Sequence, residues 1–397
     1  MSEHIHVDKV TQDLYVLRVD DTRVNYFEAL WEIPERISYN AYLLTRGNHV
    51  VLFDGWKARY SDEFIETIKG VVDPRDITEV IVHHMEPDHS GSISKLASVN
   101  SKATFYGHPL AGKMLASFYK VTRFKPLSDG AVLDVGTPLR FIHTPWLHWP
   151  ETAMSYLEEE EVLLTCDAFG SYGLMPLYDD SIDGKLLEKE IRRYFVTVIG
   201  RYTAFVPKAI SKLNTLGVRP KIIAPGHGTI IRSHIDRVIS IYSEIAEGKY
   251  KDKATIVYVS MYGNVENVIT GVKENLEKHG LQVEAYGFTD EKRANISDVL
   301  ESLTDSKIAV IGGATYEADV QPLMKWIVDV IVEKLSYRKN LKFLILSPYA
   351  WSGVAGKKLA EILKSAGFTI VETVEWEGAA GAELFERLQN IIGRLAI

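Results

Sequence analysis

Residues 83–91 read HHMEPDHSG, which sets His84, Glu86, Asp88 and His89, two imidazoles and two carboxylates, inside six positions. A lone histidine near a strand end is ordinarily a hydrogen-bonded core or surface residue. Four such groups together are costly to bury unless they share a partner, and a metal ion is the partner that suits them. The preceding run ITEVIVHH reads as a strand, so His84 and Glu86, two apart, project from one side near its end. Pro87 stops that strand, and Asp88 and His89 fall on the turn into a helix, SGSISKLASV. His83 faces the opposite way and is read as structural.

Three later segments, LRFIHTPWLHWPE, EVLLTCDAFG and KIIAPGHG, each place a His or Asp just after an apolar run. Ligands carried on loops over a rigid sheet have this arrangement. His148, Asp167 and His227 are therefore added to the candidate set. His143 competes with His148, but its close tie to the strand marks it as structural. With Cys166 the only cysteine, an intrachain disulfide, a thiolate iron–sulfur cluster and a four-cysteine iron centre are all excluded. A metal here is held by histidine and carboxylate.

The elements that position these groups come in two rhythms. The first part alternates β-branched and aromatic runs with turn signals, as in YNAYLLTRGNHVVLFDG around Arg46, Gly47 and Asn48, and inserts amphipathic stretches such as DEFIETIKGVV. In that stretch Phe64, Ile65, Ile68, Val71 and Val72 keep helical spacing. From about Lys251 the order becomes strictly strand then helix, five times, which predicts a doubly wound parallel sheet. The polar segment SEIAEGKYKDK is the natural boundary, giving domains 1–250 and 251–397.

The second half opens with YVSMYGNVENV between its first strand and first helix. Ser260, Tyr262, Gly263 and Asn264 offer hydroxyl and N–H donors at a helix N-terminus, the setting that binds a phosphate monoester. Two more strand ends carry GGATYEADVQP and SPYAWSGVAG, where Tyr316, Tyr349 and Trp351 can wall a flat ring.

Composition bounds the rest. A chain of 397 residues with 46% apolar and 25% charged residues is a globular protein of two or three domains. A net charge of −8 without a long basic run gives no nucleic-acid footprint. The N-terminus MSEHIHVDKV has no signal pattern, and no apolar stretch approaches the ~18 residues of a spanning helix, so a cytoplasmic location is expected.

The ligand pattern resembles the metallo-β-lactamase fold, with Glu86 where its hydrolases carry a second histidine. A carboxylate there makes the site harder and more anionic, favouring iron over zinc. With HWPE after His148, and with SMYGNVENV and YAWSGVAGK in the second half, the whole chain resembles the flavodiiron proteins. That resemblance implies an N-terminal metallo-β-lactamase-like αββα sandwich followed by a flavodoxin-like doubly wound sheet. It implies two irons, oxo- or hydroxo-bridged: one on His84, Glu86 and His148, the other on Asp88, His89 and His227, with Asp167 between them. It implies FMN held by Ser260, Met261, Tyr262, Gly263, Asn264 and Val265, by Ala314, Thr315, Tyr316 and Glu317, and by Pro348, Tyr349, Ala350, Trp351, Ser352 and Gly353.

The activity implied is reduction of O2 to water, or of NO to N2O, with electrons relayed through FMN. The partners implied are a second copy of the chain, head to tail, as a dimer or dimer of dimers, and a separate donor, either rubredoxin or reduced F420. Trp149 is a candidate electron-path or pocket residue, against the ordinary reading of a packed aromatic. The alternatives are a dinuclear zinc hydrolase with a flavodoxin-like accessory domain and a flavin carrier with a vestigial metal site. Three departures from the family pattern stand out: Val265 where a threonine is common, Phe27 and Glu28 near the N-terminus, and Ser171 and Tyr172 after Asp167.

Overall fold

The computed structural model describes residues 4–395. The chain forms two compact units, Met1–Ser243 and Glu244–Ile397.

In the first unit β1 (Ile5–Lys9) and β2 (Leu14–Asp21) are followed by a small hairpin, β3 (Tyr26–Phe27) and β4 (Trp31–Glu32). Strands β5 (Ile37–Arg46) and β6 (His49–Phe53) pair through a two-residue turn. Gly47 has φ 61 at its first position, the residue a type II′ hairpin needs there. Then come α1 (Ser61–Lys69), β7 (Glu79–Val82), α2 (Pro87–Ser90), α3 (Ile93–Val99), β8 (Thr104–Gly107), α4 (Pro109–Tyr119) and β9 (Phe124–Pro126). Seven strands form one sheet in the order β1-β2-β5-β6-β7-β8-β9.

A second sheet runs β10 (Val132–Asp134), β11 (Pro138–His143), β12 (Ala153–Leu157), β13 (Val162–Cys166) and β14 (Ile222–Pro225) in chain order. Helices α5 (Gly184–Tyr194) and α6 (Val206–Thr215) lie between β13 and β14, and α7 (Ile235–Ala246) follows. The two sheets share one core: Leu14, Val16, Leu44 and Phe53 from the first meet Leu139, Phe141, Leu157 and Leu164 from the second. This is the expected αββα sandwich. Alternate apolar residues along each strand supply its inner faces.

Local differences from the sequence reading have identifiable causes. Helix α1 stops at Lys69 with Gly70 as its C-cap, so Val71 and Val72 lie beyond it. Strand β7 ends at Val82, before either histidine. Asp88 and His89 sit on α2, a single turn started by Pro87, rather than on an irregular turn.

The second unit alternates β15 (Lys253–Ser260), α8 (Asn264–Lys278), β16 (Gln282–Thr289), α9 (Ile296–Leu303), β17 (Ile308–Gly313), a hairpin of β18 (Thr315–Tyr316) and β19 (Asp319–Val320), α10 (Pro322–Leu335), β20 (Lys342–Tyr349), α11 (Ala355–Ser365), β21 (Thr369–Glu377) and α12 (Ala382–Leu395). Its sheet runs β16-β15-β17-β20-β21, and every pair is parallel. Strand order reverses beside β15, so the switch point falls at the carboxyl ends of β15 and β17. Among the described residues no helix is long and apolar enough to cross a membrane.

Candidate metal centre and flavin loops

Beyond β7 the two adjacent histidines part. His83 turns into the core: its backbone N–H and Nδ1 meet the Asp54 carboxylate at 2.8 and 2.7 Å, and Nε2 lies 2.8 Å from Ser155 Oγ. Its ring stacks between Phe53 and Phe141. His84 points the other way, with Nδ1 2.8 Å from Glu151 Oε1, which leaves Nε2 facing Glu86 Oε2 and Asp167 Oδ2, each at 3.3 Å. Glu86 also meets His148 Nε2 at 2.9 Å.

The opposite side is built by α2 and the loop after β14. His227 Nε2 lies 3.5 Å from Asp88 Oδ2, while its Nδ1 donates to the Ser38 carbonyl at 2.9 Å. His89 Nε2 is 3.8 Å from Asp88 Oδ1. Gly226 is needed for this approach, since a Cβ there would stand 2.6 Å from His89 Cε1.

Between the two groups stands Asp167, at the end of β13. Its Oδ2 faces His84 and His148 at 3.3 and 3.6 Å, and its Oδ1 faces His89 and His227 at 3.0 and 3.4 Å. His84, Glu86, His148 and Asp167 can thus offer atoms within 4.8 Å of one another, and so can Asp88, His89 and His227. All seven candidates converge. His143 stays outside, with Nε2 on the Leu127 carbonyl at 3.0 Å.

The donor set suits cations. Asp88 Oδ1, Asp167 Oδ2 and His227 Nε2 are buried with no hydrogen-bond partner among the described residues. Each such group costs about 1–3 kcal/mol unless something else binds it. Burial pushes the Glu86 carboxyl up, but His148 and His84 more than offset it and hold it at about 2. Burial lowers His89, yet Asp88 and Asp167 raise it to about 9. Excess negative charge of this kind is what a divalent or trivalent ion neutralises.

Sequence reading missed two residues here. Glu151, 0% exposed, holds His84; its signal was available, because it stands three positions after His148. Tyr194 donates its hydroxyl to Asp167 Oδ1 at 2.8 Å, and nothing in the sequence marks it out at the end of its helix. Trp149 sets its ring edge-on to His84, with centroids 4.9 Å apart. Two of the three departures from the family pattern lie on the His227 side: Phe27 packs edge-on to His227 and to Tyr172, and the Tyr172 hydroxyl bonds Thr197 Oγ1 at 2.8 Å. Glu28 accepts from Trp31 Nε1 at 3.0 Å instead. Ser171 is buried beside Gly228.

In the second unit the three candidate loops leave the carboxyl ends of the neighbouring strands β15, β17 and β20. Ser260 closes β15, and its hydroxyl accepts from the Glu266 N–H at 3.4 Å. Tyr262 and Gly263 follow with φ 62 and 81, and Gly263 is the N-cap of α8. Left-handed backbone in succession turns the chain sharply, with Met261 and Asn264 on either side, and the Tyr262 N–H donates to the Asp290 carboxylate at 3.5 Å. Val265 is the exception: its side chain is 2% exposed in the core, so only its backbone can reach a ligand.

The second loop is a tight hairpin whose central residues Glu317 and Ala318 are both left-handed. Thr315 Oγ1 accepts from the Val354 and Ala355 N–H groups at 3.2 and 3.1 Å, tying this loop to the third. Ala314 precedes the hairpin, while Pro348 and Tyr349 still belong to β20, so the third loop proper starts at Ala350 and carries Trp351, Ser352 and Gly353. Tyr262 and Trp351 are 89% and 73% exposed, and Tyr316 is exposed as well. Large rings standing in water at a switch point are the kind of surface that a planar ligand covers.

Residues 37–228 match the family described as ODP family beta lactamase, and residues 256–389 match the flavodoxin family. A flavo di-iron protein variant from Thermotoga maritima superposes with a TM-score of 0.93 at 34% identity, over 99% of both chains. The nitric oxide reductase of Moorella thermoacetica is 28% identical over 362 residues, 90% of this chain and 89% of the relative. The rubredoxin-oxygen oxidoreductase of Megalodesulfovibrio gigas is 28% identical over 371 residues, 91% of this chain and 90% of the relative.

Proposed function

The chain belongs to the flavodiiron proteins, and on that premise we propose that it is an oxidoreductase reducing O2 to water, or NO to N2O, at a non-haem diiron centre supplied through FMN. The observation that carries this reading is Asp167, one carboxylate whose two oxygens face two separate groups of ligand-type side chains. His84, Glu86 and His148 would hold one iron, Asp88, His89 and His227 the other, and Asp167 would bridge them. Two ferrous ions and a two-electron flavin together supply the four electrons that O2 requires.

The chain's own residues do the rest. Glu86, in the place of an imidazole, keeps the ligand set anionic and suited to iron. Tyr194 holds a proton at its hydroxyl, 2.8 Å from Asp167 Oδ1. Phe27, Tyr39 and Tyr172 wall the His227 side with rings and keep bulk water from it. In the second unit Ser260 to Asn264 would take the FMN phosphate, with Val265 contributing backbone alone, and Tyr316, Tyr349 and Trp351 would flank its ring.

A head-to-tail homodimer and a separate donor, rubredoxin or reduced F420, complete the proposal. With Cys166 the only cysteine, these 397 residues contain no four-thiolate centre of their own. A buried lone thiol also suits the reducing cytoplasm. The dinuclear zinc hydrolase finds no support, because the named relatives above are reductases.

The test is metal analysis by mass spectrometry alongside acid-released flavin, followed by anaerobic O2 and NO consumption assays. About two irons and one FMN per chain, with turnover of either gas, is the expected result. Zinc in place of iron after iron-supplemented expression would sink the reductase reading.

A further inference from the structure

Glu151 is not one of the proposed ligands, yet it is fully buried and committed to the centre. Its Oε1 accepts from His84 Nδ1 at 2.8 Å and from the Met85 N–H at 3.1 Å. The first bond keeps the imidazole proton on Nδ1 and leaves the Nε2 lone pair aimed at Glu86 and Asp167. The second ties the same carboxylate to the backbone just past His84, so ring and chain are held together. Its other oxygen, Oε2, has no hydrogen-bond partner among the described residues.

The other end of the centre is built differently. His227 Nδ1 donates to the Ser38 carbonyl, a neutral acceptor, at 2.9 Å. His89 Nδ1 has no hydrogen-bond partner among the described residues. An anionic acceptor makes an imidazole a stronger electron donor to the metal it binds than a neutral carbonyl does. One half of the centre therefore has a carboxylate-backed histidine and the other does not.

We infer that Glu151 is a positioning residue that makes the two irons unequal, favouring the ferric state at the His84 end. The iron held by His84, Glu86 and His148 is then the second to be reduced when electrons enter one at a time. Each step is the addition of one electron to one ferric ion, supplied by FMN in turnover or by a chemical reductant in a titration. This inference rests on the diiron reading above.

The experiment is an anaerobic redox titration of the iron- and FMN-loaded protein, wild type against Glu151→Gln, following the half-reduced form by electron paramagnetic resonance. Iron content is measured first on each sample. Outer carboxylates of this kind change metal affinity by about tenfold or more, and a tenfold change confined to the ferric ion is about 59 mV in a one-electron couple. The expected result is that the lower-potential step rises by about that amount while the upper step moves far less, so the half-reduced signal peaks at a smaller fraction.

Equal displacement of both steps, or of neither, overturns the inference. Should the variant bind less iron, loss of one ion with retention of the other supports it, and joint loss of both overturns it. Wild-type protein that holds no iron sinks the diiron reading itself, and the inference with it.

Discussion

The Tyr194 hydroxyl donates to Asp167 Oδ1 at 2.8 Å, so the carboxylate that faces both ligand groups is itself held from helix α5. Burial, and then the Asp167 and Asp88 charges, raise this phenol well above its ordinary range, so it keeps its proton and remains a donor throughout the neutral range. A hydrogen bond to a charged group contributes about 1.5–3 kcal/mol. Tyr194→Phe should lower the unfolding free energy from urea titration by that order while keeping two irons per chain. Loss of iron in this variant would show that the phenol helps to retain metal rather than only to orient Asp167.

Glu86 decides which metal the first group prefers. The His148 and His84 imidazoles, acting against its burial, hold the carboxyl at about 2, so it is ionised at neutral pH and offers a hard, anionic donor. Glu86→His removes that charge from a buried set of donors. Protein expressed with both metals available should shift several-fold toward zinc, read as the zinc-to-iron ratio by mass spectrometry. An unchanged ratio would mean that the remaining carboxylates alone fix the preference.

The flavin loops can be tested without touching the metals. Trp351 is 73% exposed, so replacing it with alanine should change stability by no more than about 0.5 kcal/mol. A stacked ring contributes about 0.5–1.5 kcal/mol, equivalent to a two- to tenfold weaker FMN affinity. Fluorescence titration of flavin-stripped protein reads the change directly. Trp351→Ala with wild-type affinity would place the flavin ring elsewhere.

Residue type carried most of the centre into view from the sequence, because a metal site needs particular chemistry at strand ends and the chain advertises it. His84, Glu86, Asp88, His89, His148, Asp167 and His227 were all legible and all converge. What was illegible depends on tertiary approach. Tyr194 reaches Asp167 because α5 packs there, and no local spacing encodes that. Val265 has no hydroxyl, which limits that position to a backbone contact, and the first turn of α8 points its side chain inward against Gly312, where a Cβ would sit 3.0 Å from its methyl. Periodicity also continued α1 through Val71 and Val72, where Gly70 instead ends the helix.

Acid sensitivity has a specific source in Asp179, which precedes α5 and accepts from the N–H groups of the residues leading into α7. Burial pushes its carboxyl up, but the N–H groups of Arg232, Ser233 and His234 and the His234 ring outweigh that and leave it below the ordinary value. A depressed carboxyl contributes stability above its unfolded value of about 3.9, and loses it as pH falls through the lower folded value. Asp179→Asn should therefore lower the urea midpoint most at neutral pH, with the gap to wild type closing below about pH 4. A gap independent of pH would assign the effect to geometry rather than to charge.

Asp54, His83 and Ser155 lie in the order of a hydrolytic triad, at 2.7 and 2.8 Å, beside the metal centre. Ser155 is nevertheless 0% exposed, on β12 inside the sandwich, so no acyl substrate can reach its hydroxyl. The arrangement instead anchors the chain where it leaves β7, because Asp54 binds both the backbone and the ring of His83. His83→Phe keeps an aromatic ring between Phe53 and Phe141 but strips Asp54 of its ring partner. Removing one member of a buried polar pair costs about 3–5 kcal/mol when the survivor is charged. The variant should lose stability by that order and still bind two irons, since the backbone bond to Asp54 survives. Asp54→Asn removes the charge itself and should cost less. If His83→Phe were as stable as wild type, the pair would not be the anchor, and the register of His84 would rest on Glu151 alone.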